Sequence, residues 1–444
     1  MIYLYALFII VFYCTEFIWI ISGFFGAEMS LTVMWTPLAG TVIIAHFFRL
    51  LMRHKLNYSA KSFVKIQLAA LIIITISFIL NYKEKILPID YHAYSYIIPF
   101  ILILLSLLTL STRFTKKEIY FLQRILIGVF FVNIIVSLSQ IFLLVFDFIN
   151  IEFFYRNIRY TVIGFLLNGK LLIRIPGIFE SGATNAFFTA SICLMILSHF
   201  QFRKRRSLFL NLMFYLGIIV LVSTLTRRYI ISFTIIVYIY YLLLSIKEKK
   251  KYFFSRIIGL PIFIIIIYIS YIYFNDFYQT KSLHDRFYYW KNNLNTIINS
   301  DYHLFYGFGY LQVVIKKIKS FSFHGDFPLE IMDNMYLSWL MFGGIFFLTA
   351  MLLYLLTVSF FSLKCFLTSS NSSVEEFSLI IFLNSIFVLI AGMFGTFWDN
   401  VQESFIFWYA QPAMISYILI YSSNRKKRPV QFSPIINSKS TPSL

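Results

Sequence analysis

MYLSWLMFGGIFFLTAMLLYLLTVSFF, residues 335–361, carries no charged side chain over a stretch long enough to cross a bilayer. A hydrocarbon core about 30 Å thick needs about 20 apolar residues of helix, and this run exceeds that. Outward from it in both directions, runs of the same kind fall near 2–22, 31–51, 63–81, 93–111, 121–146, 184–202, 207–224, 229–246, 254–274, 376–397 and 404–423. Together they predict about twelve transmembrane helices. They are continuous apolar stretches, not short alternating ones, which points to helices and away from a β-barrel. Composition agrees. Hydrophobic residues make up 59% of the 444, charged residues 13%, and the mean hydropathy is +0.78, values foreign to a soluble domain of this length. The expected fold is an all-α polytopic membrane protein, one helical bundle over 1–423 followed by a polar, disordered tail over 424–444.

Charge placement orients the bundle. Most of the 38 lysines and arginines cluster at 49–65, 113–124, 203–206, 247–256 and 425–439. These connections fall on one side if the spans alternate, and the positive-inside rule makes that side cytoplasmic. Both termini are then cytoplasmic, and 147–183 and 275–332 become two long outside segments. The net charge of +19 follows from the same rule and from attraction to anionic lipid, so membrane lipids are expected partners and nucleic acid is not. The first apolar run lacks a charged n-region and is too long for a signal-peptide core, so no cleavable leader is expected. Cys14, Cys193 and Cys365 stand alone, without disulfide or metal spacing. No P-loop, Rossmann fingerprint or HExxH site occurs, which removes support from ATP-driven and zinc-dependent chemistry.

Three patches carry the candidate chemistry. RIPGIFESGATN, 174–185, closes the first outside segment and opens a span. Arg174 stands at the level of a headgroup phosphate or pyrophosphate, Gly177 and Gly182 let backbone approach a ligand, and Asn185 is a polar group one turn into the helix. A snorkelling interfacial arginine beside a turn is the alternative. In TLTRRYIIS, 224–232, Arg227 and Arg228 sit on the outer face against the positive-inside trend. Anion binding explains that exception, and interfacial anchoring is its rival. FHGDFPLEIMDN, 323–334, supplies His324, Asp326, Glu330 and Asp333 just outside the span at 335. A histidine or carboxylate there suits a general base taking a proton from a sugar hydroxyl, while Asp333 or Asn334 also suits a helix cap. Tyr288, Tyr289 and Trp290 in the long loop are candidates for stacking on sugar faces. Gly343 and Gly344 read as residues of close helix packing.

The order of these patches resembles the bacterial O-antigen polymerase and ligase superfamily, polytopic glycosyltransferases of the GT-C type. RIPGIFESGATN is similar to the family's arginine-glycine-phenylalanine patch ahead of a span, and TLTRR to its Ser/Thr-Arg patch at a helix start, with Arg227 the equivalent. GFGYLQ (307–312) followed by DNMYLSWLMFGGI is similar to its glycine turn, polar-asparagine pair and glycine-bearing span. Ligases of the superfamily commonly show His-Asn where this chain has Asp333-Asn334, which favours a polymerase. The paired Arg-x10-Gly loops described for polymerases are missing.

The resemblance implies a GT-C-like bundle in the bacterial inner membrane with its active site facing the periplasm. The donor would be a glycan on undecaprenyl pyrophosphate, and the acceptor another undecaprenyl-pyrophosphate-linked oligosaccharide. Arg174, Arg227 and Arg228 would hold the pyrophosphate, and His324 or Asp333 would act as base. Asn185, Asn334 and Asp326 would contact substrate. No cofactor is expected and, with no acidic DxD-type cluster by the site, no metal. A chain-length regulator and a flippase would be partner proteins. An O-antigen ligase acting on lipid A core, a polysaccharide flippase or transporter, and a structural subunit are the rival readings.

Overall fold

The computed structural model describes residues 10, 60–84, 89–145, 164–167, 170–179, 181–202, 207–247, 281–300, 303–309, 334–395 and 406–427. Its long helices are apolar on the outside. On α1 (Lys61–Glu84), Leu68, Ile72, Ile76 and Ile79 recur at helical spacing and are exposed, while Gln67, Ser77 and Asn81 are buried. The stripe Leu208, Leu212, Tyr215, Ile219 and Val222 repeats the pattern on α5 (Leu208–Ser223). Water would penalise that inversion, whereas lipid tails accept it.

Among the described residues six helices are long and apolar enough to cross a membrane. They are α1, α3 (Lys116–Val145), α4 (Gly182–Phe202), α6 (Arg227–Lys247), α9 (Met335–Thr368) and α10 (Ser372–Gly392). α2 (Ile89–Ser111) and α5 add shorter apolar stretches, and α11 (Gln411–Lys427) follows a π-helical turn, Ile406–Ala410. This is a multi-pass, α-helical membrane protein. Each of these helices coincides with an expected apolar run; the run near 2–22 apart from residue 10, the runs near 31–51 and 254–274, and 428–444 of the tail lie outside the described residues.

Within the first long polar segment the chain forms an antiparallel hairpin. β1 (Gly164–Leu167) pairs with β2 (Lys170–Ile173), with Gly164 opposite Ile173 and Leu167 opposite Lys170.

Cross-helix contacts sort the helix ends into two groups. At one end Lys247 Nζ meets Glu375 Oε2 at 2.7 Å and donates to Phe366 O at 2.8 Å. Nearby, buried His199 and Glu376 are in direct contact, and Tyr120 Oη donates to Glu376 Oε2 at 2.7 Å. The start of α3, the ends of α4, α6 and α9 and the start of α10 therefore share this basic end. The other ends of these helices, which include the starts of α4, α6 and α9, lie opposite and hold the arginine patches.

α9 is not one helix. Gly343 (φ −129°, ψ 17°) and Gly344 (φ 69°, ψ −168°) break it, leaving a first half of about two turns, Met335–Phe342. The segment after α7 (Lys281–Ile298) and the single turn α8 (His303–Tyr306) fills the gap. Phe308 N donates to Met341 O at 2.8 Å and Gly309 N to Phe342 O at 2.9 Å, so carbonyls freed by the break are satisfied by backbone. Ser77 Oγ donates to Tyr306 O at 2.6 Å, and Asn81 Nδ2 to Gly307 O at 3.1 Å and Tyr96 Oη at 2.8 Å. A Cβ on Gly344 would lie 2.1 Å from Phe305 O, and one on Gly307 (φ 70°) 2.4 Å from Phe342 O. The expected close packing at Gly343-Gly344 is thus between a broken helix and a loop backbone.

Gly344→Ala should be severely destabilising, by strain of about 1–3 kcal/mol plus the clash with Phe305. Gly128→Ala, where a Cβ meets nothing within 4 Å, should be neutral or stabilising by up to ~1 kcal/mol. Melting of both purified variants in detergent gives the comparison, and equal melting temperatures would mean that the break is not native.

Candidate functional site

Arg174 follows β2 directly and opens the turn Arg174–Phe179 at the arginine end. The turn is held from below by buried carboxamides. Gln140 grips Gly177 with both side-chain atoms, Nε2 donating to Gly177 O and Oε1 accepting from Gly177 N, each at 2.9 Å. Asn133 Oδ1 accepts from Ile178 N at 3.2 Å and its Nδ2 donates to Asn185 Oδ1 at 2.8 Å. Asn185 Nδ2 donates to Ile175 O at 3.0 Å, and Thr189 Oγ1 to Asn185 Oδ1 at 3.0 Å. Gly177 has φ 65° and stands so close that a Cβ would fall 2.2 Å from Asn133 Oδ1, which leaves room for glycine alone. The backbone approach anticipated at Gly177 is therefore to this network.

Asn185, expected to touch substrate, is fully buried with both ends of its carboxamide engaged by the protein. Its place in the structure is that of a strut under the turn. Above it, the start of α4 presses on Arg174, since a Cβ at Gly182 would lie 2.8 Å from Arg174 Cβ. Ile175 N donates to Ser223 O at 3.4 Å and Thr226 Oγ1 to Gly182 O at 3.4 Å, which joins the turn to the α5–α6 connection.

That connection carries the other two arginines. Leu225 (φ 52°) is the one non-glycine residue with positive φ among those described, a strained conformation that tightens the chain just before α6. Arg227 is exposed. Arg228 is half-buried, donates from Nη1 to Phe394 O at 3.3 Å and stacks over Tyr229, 4.6 Å from its ring centre. Gly395 lies directly against the guanidinium, where any Cβ would overlap Nη1.

Asn334 reaches the same strip. Its Oδ1 caps α9 by accepting from Tyr336 N at 2.9 Å and Leu337 N at 3.1 Å, and its Nδ2 donates to Met393 O at 3.2 Å. The cap weighed from sequence is thus Asn334. The backbone at 393–395 receives both Asn334 and Arg228, so the starts of α6 and α9 meet at the end of α10. His324, Asp326, Glu330 and Asp333 lie outside the described residues. Trp290 packs half-buried beside Ile297, Phe308, Leu337, Leu340 and Met341, against the protein itself.

Sequence reading missed Gln140 and Asn133, which lie inside an apolar run, and also Gly395 and Leu225. Gly395 carried no motif, and nothing marked Leu225 apart from its place in a short turn. Among the described residues no group of three or more His, Cys, Asp or Glu side chains stands together in a metal-binding arrangement. What the arrangement offers chemically is fixed positive charge: guanidinium groups from separate stretches, at the margin of an apolar bundle where charge interactions are stronger than in bulk water. No protein-family model and no curated protein matches this chain. Fold and site together define a multi-pass helical membrane protein with an arginine-bearing end.

Replacing Asn185 by alanine should cost about 3 kcal/mol of stability, because Asn133 and Ile175 O would lose buried partners at about 1–3 kcal/mol each. Asn334→Ala should cost about 1–2 kcal/mol through loss of the cap, and Asn334→Asp should keep the cap but lose the Nδ2 bond to Met393 O, at about 1 kcal/mol. Detergent melting curves would show the ranking, and an Asn185→Ala variant as stable as wild type would remove the strut role.

Proposed function

We propose that the protein is a surface-polysaccharide polymerase of the O-antigen type, a metal-independent GT-C-like glycosyltransferase of about twelve spans in a bacterial inner membrane. It transfers a growing glycan from undecaprenyl pyrophosphate onto the terminal sugar hydroxyl of a lipid-linked repeat unit. The acceptor oxygen bonds to the anomeric carbon, the bond from that carbon to the pyrophosphate oxygen breaks, and undecaprenyl pyrophosphate departs with its electron pair. The acceptor proton passes to His324 or Asp333. The observation that carries this reading is the gathering of Arg174, Arg227 and Arg228, from two separate stretches, at the end of the bundle opposite its lysine-rich end.

The chemistry requires charge stabilisation on a leaving pyrophosphate at headgroup depth. Guanidinium groups bind phosphate oxygens in a fixed fork, and stay cationic in a partly dry site. Arg228 is pre-positioned by Tyr229 and Phe394 O, and Arg174 by the buried carboxamides beneath its turn. Removing one preorganised donor of this kind costs about 100- to 1,000-fold in rate. In this reading the lysine-rich end is cytoplasmic, the arginine end periplasmic, and 147–183 and 275–332 are periplasmic segments.

The test is complementation of a host lacking this gene, with surface polysaccharide resolved by gel and expression verified. A null strain with lipid core capped by one repeat unit, restored to a ladder by wild type but not by Arg174→Ala, Arg227→Ala or Arg228→Ala, is the expected result. A null strain with uncapped core and accumulated long lipid-linked chains would make the protein a ligase. Full ladders from every variant would overturn the site. Purified protein should also polymerise lipid-linked units at an unchanged rate in EDTA.

A further inference from the structure

We infer that α7 is an interfacial helix, lying along the bilayer surface beside the bundle with one edge in lipid. Its sequence is KSLHDRFYYWKNNLNTII. On a wheel of 3.6 residues per turn, three arcs separate. Trp290, Asn293 and Ile297 form the docking arc: Asn293 and Ile297 are fully buried, and Ile297 and Trp290 belong to the cluster with Phe308, Leu337, Leu340 and Met341. This fixes α7 against the first half of α9, at the arginine end.

About a quarter turn away lie Phe287, Leu294 and Ile298, 56%, 40% and 53% exposed. A further ~100° on lie Tyr288, Asn295 and, just past the helix, Asn299, also exposed. Lys291 occupies the border between apolar and polar arcs. A helix immersed in water has no reason to expose three large apolar residues on one stripe while directing asparagines to another. A helix half-sunk in the headgroup region requires that split, with a lysine or tyrosine at the boundary.

The occupant of the apolar stripe follows from continuity. α7 packs on α8 and α9, and there Phe305, Ile345 and Phe346 are exposed, with Phe305 and Phe346 in ring contact at 5.7 Å. Ile345 and Phe346 belong to a membrane-spanning helix, so their exposed faces meet acyl chains. The stripe on α7 extends that lipid-facing surface past the break in α9 towards the headgroups. Lipid acyl chains therefore cover Phe287, Leu294 and Ile298, and Lys291 reaches lipid phosphate.

Single cysteines at Phe287, Leu294, Ile298, Asn295 and Asn299, placed in a background with Cys14, Cys193 and Cys365 changed to alanine, test this in nanodiscs of phosphatidylethanolamine and phosphatidylglycerol. Each would carry a bimane label, with a monodisperse elution profile required of every variant. Lipids brominated on the acyl chains should quench the labels at 287, 294 and 298 at least twofold more than those at 295 and 299, with iodide giving the reverse order. Iodide quenching of all five labels to the same extent, without response to bromolipid, would place α7 in water and overturn the inference. The readout is independent of catalysis, so it stands or falls separately from the polymerase reading.

Discussion

In a bilayer no water is at hand to satisfy a backbone group that leaves its helix, so every interruption of a span must be matched by protein. This constraint governs the centre of the molecule. The Gly343-Gly344 break frees carbonyls inside a membrane helix, and among the described residues groups from a distant loop and from Ser77 on α1 answer them. Several glycines are needed because backbone has to touch backbone there, Gly344 against Phe305 and Gly307 against Phe342, while Gly309 leaves room for the Tyr96 ring. Once this joint is made, α1, α2, α8 and α9 are locked together, and α7 has a surface to rest on.

The arginine end obeys the same rule with side chains. Asn133 and Gln140 on α3 and Asn185 on α4 lie in the bundle interior, where an unpaired polar group is costly, and each is engaged with the others or with the turn at 174–179. They convert buried polarity into a fixed position for Arg174. Arg228 is held differently, by a carbonyl, a ring face and the bare surface of Gly395. Fixed charges at headgroup depth suit an anionic ligand because they need no reorganisation when it arrives.

The helices were legible because lipid removes ambiguity: a continuous apolar run of sufficient length has few other fates, and nine of the expected runs are helices here. The break in α9 was not, since two glycines in an apolar run read equally as packing residues. Only the 229-residue separation between Ser77 and Tyr306 distinguishes the two, and no local pattern encodes it. The hairpin at 164–173 had a signal, Asn168-Gly169 between GFLL and KLLI, which the neighbouring arginines obscured. For the site, Arg227 and Arg228 stood out through their place against the charge rule, and Arg174 through its position at headgroup level ahead of a span. Asn185 looked like a ligand because a polar group at a span's start is rare; its partners on α3 lie about fifty residues away in sequence.

The joint between α1 and the 303–309 turn also sets an order on biogenesis. α1 enters the membrane early, carrying Ser77 and Asn81 whose native acceptors, Tyr306 O and Gly307 O, are not yet synthesised. Until more than two hundred further residues have emerged, those two side chains have only nearer partners among the described residues, Asn81 on Ser77 one turn away and both on Tyr96 of α2. Final closure of the first helices thus waits on the last third of the chain. A ribosome stalled before residue 303 would leave a membrane intermediate with its polar seam still open.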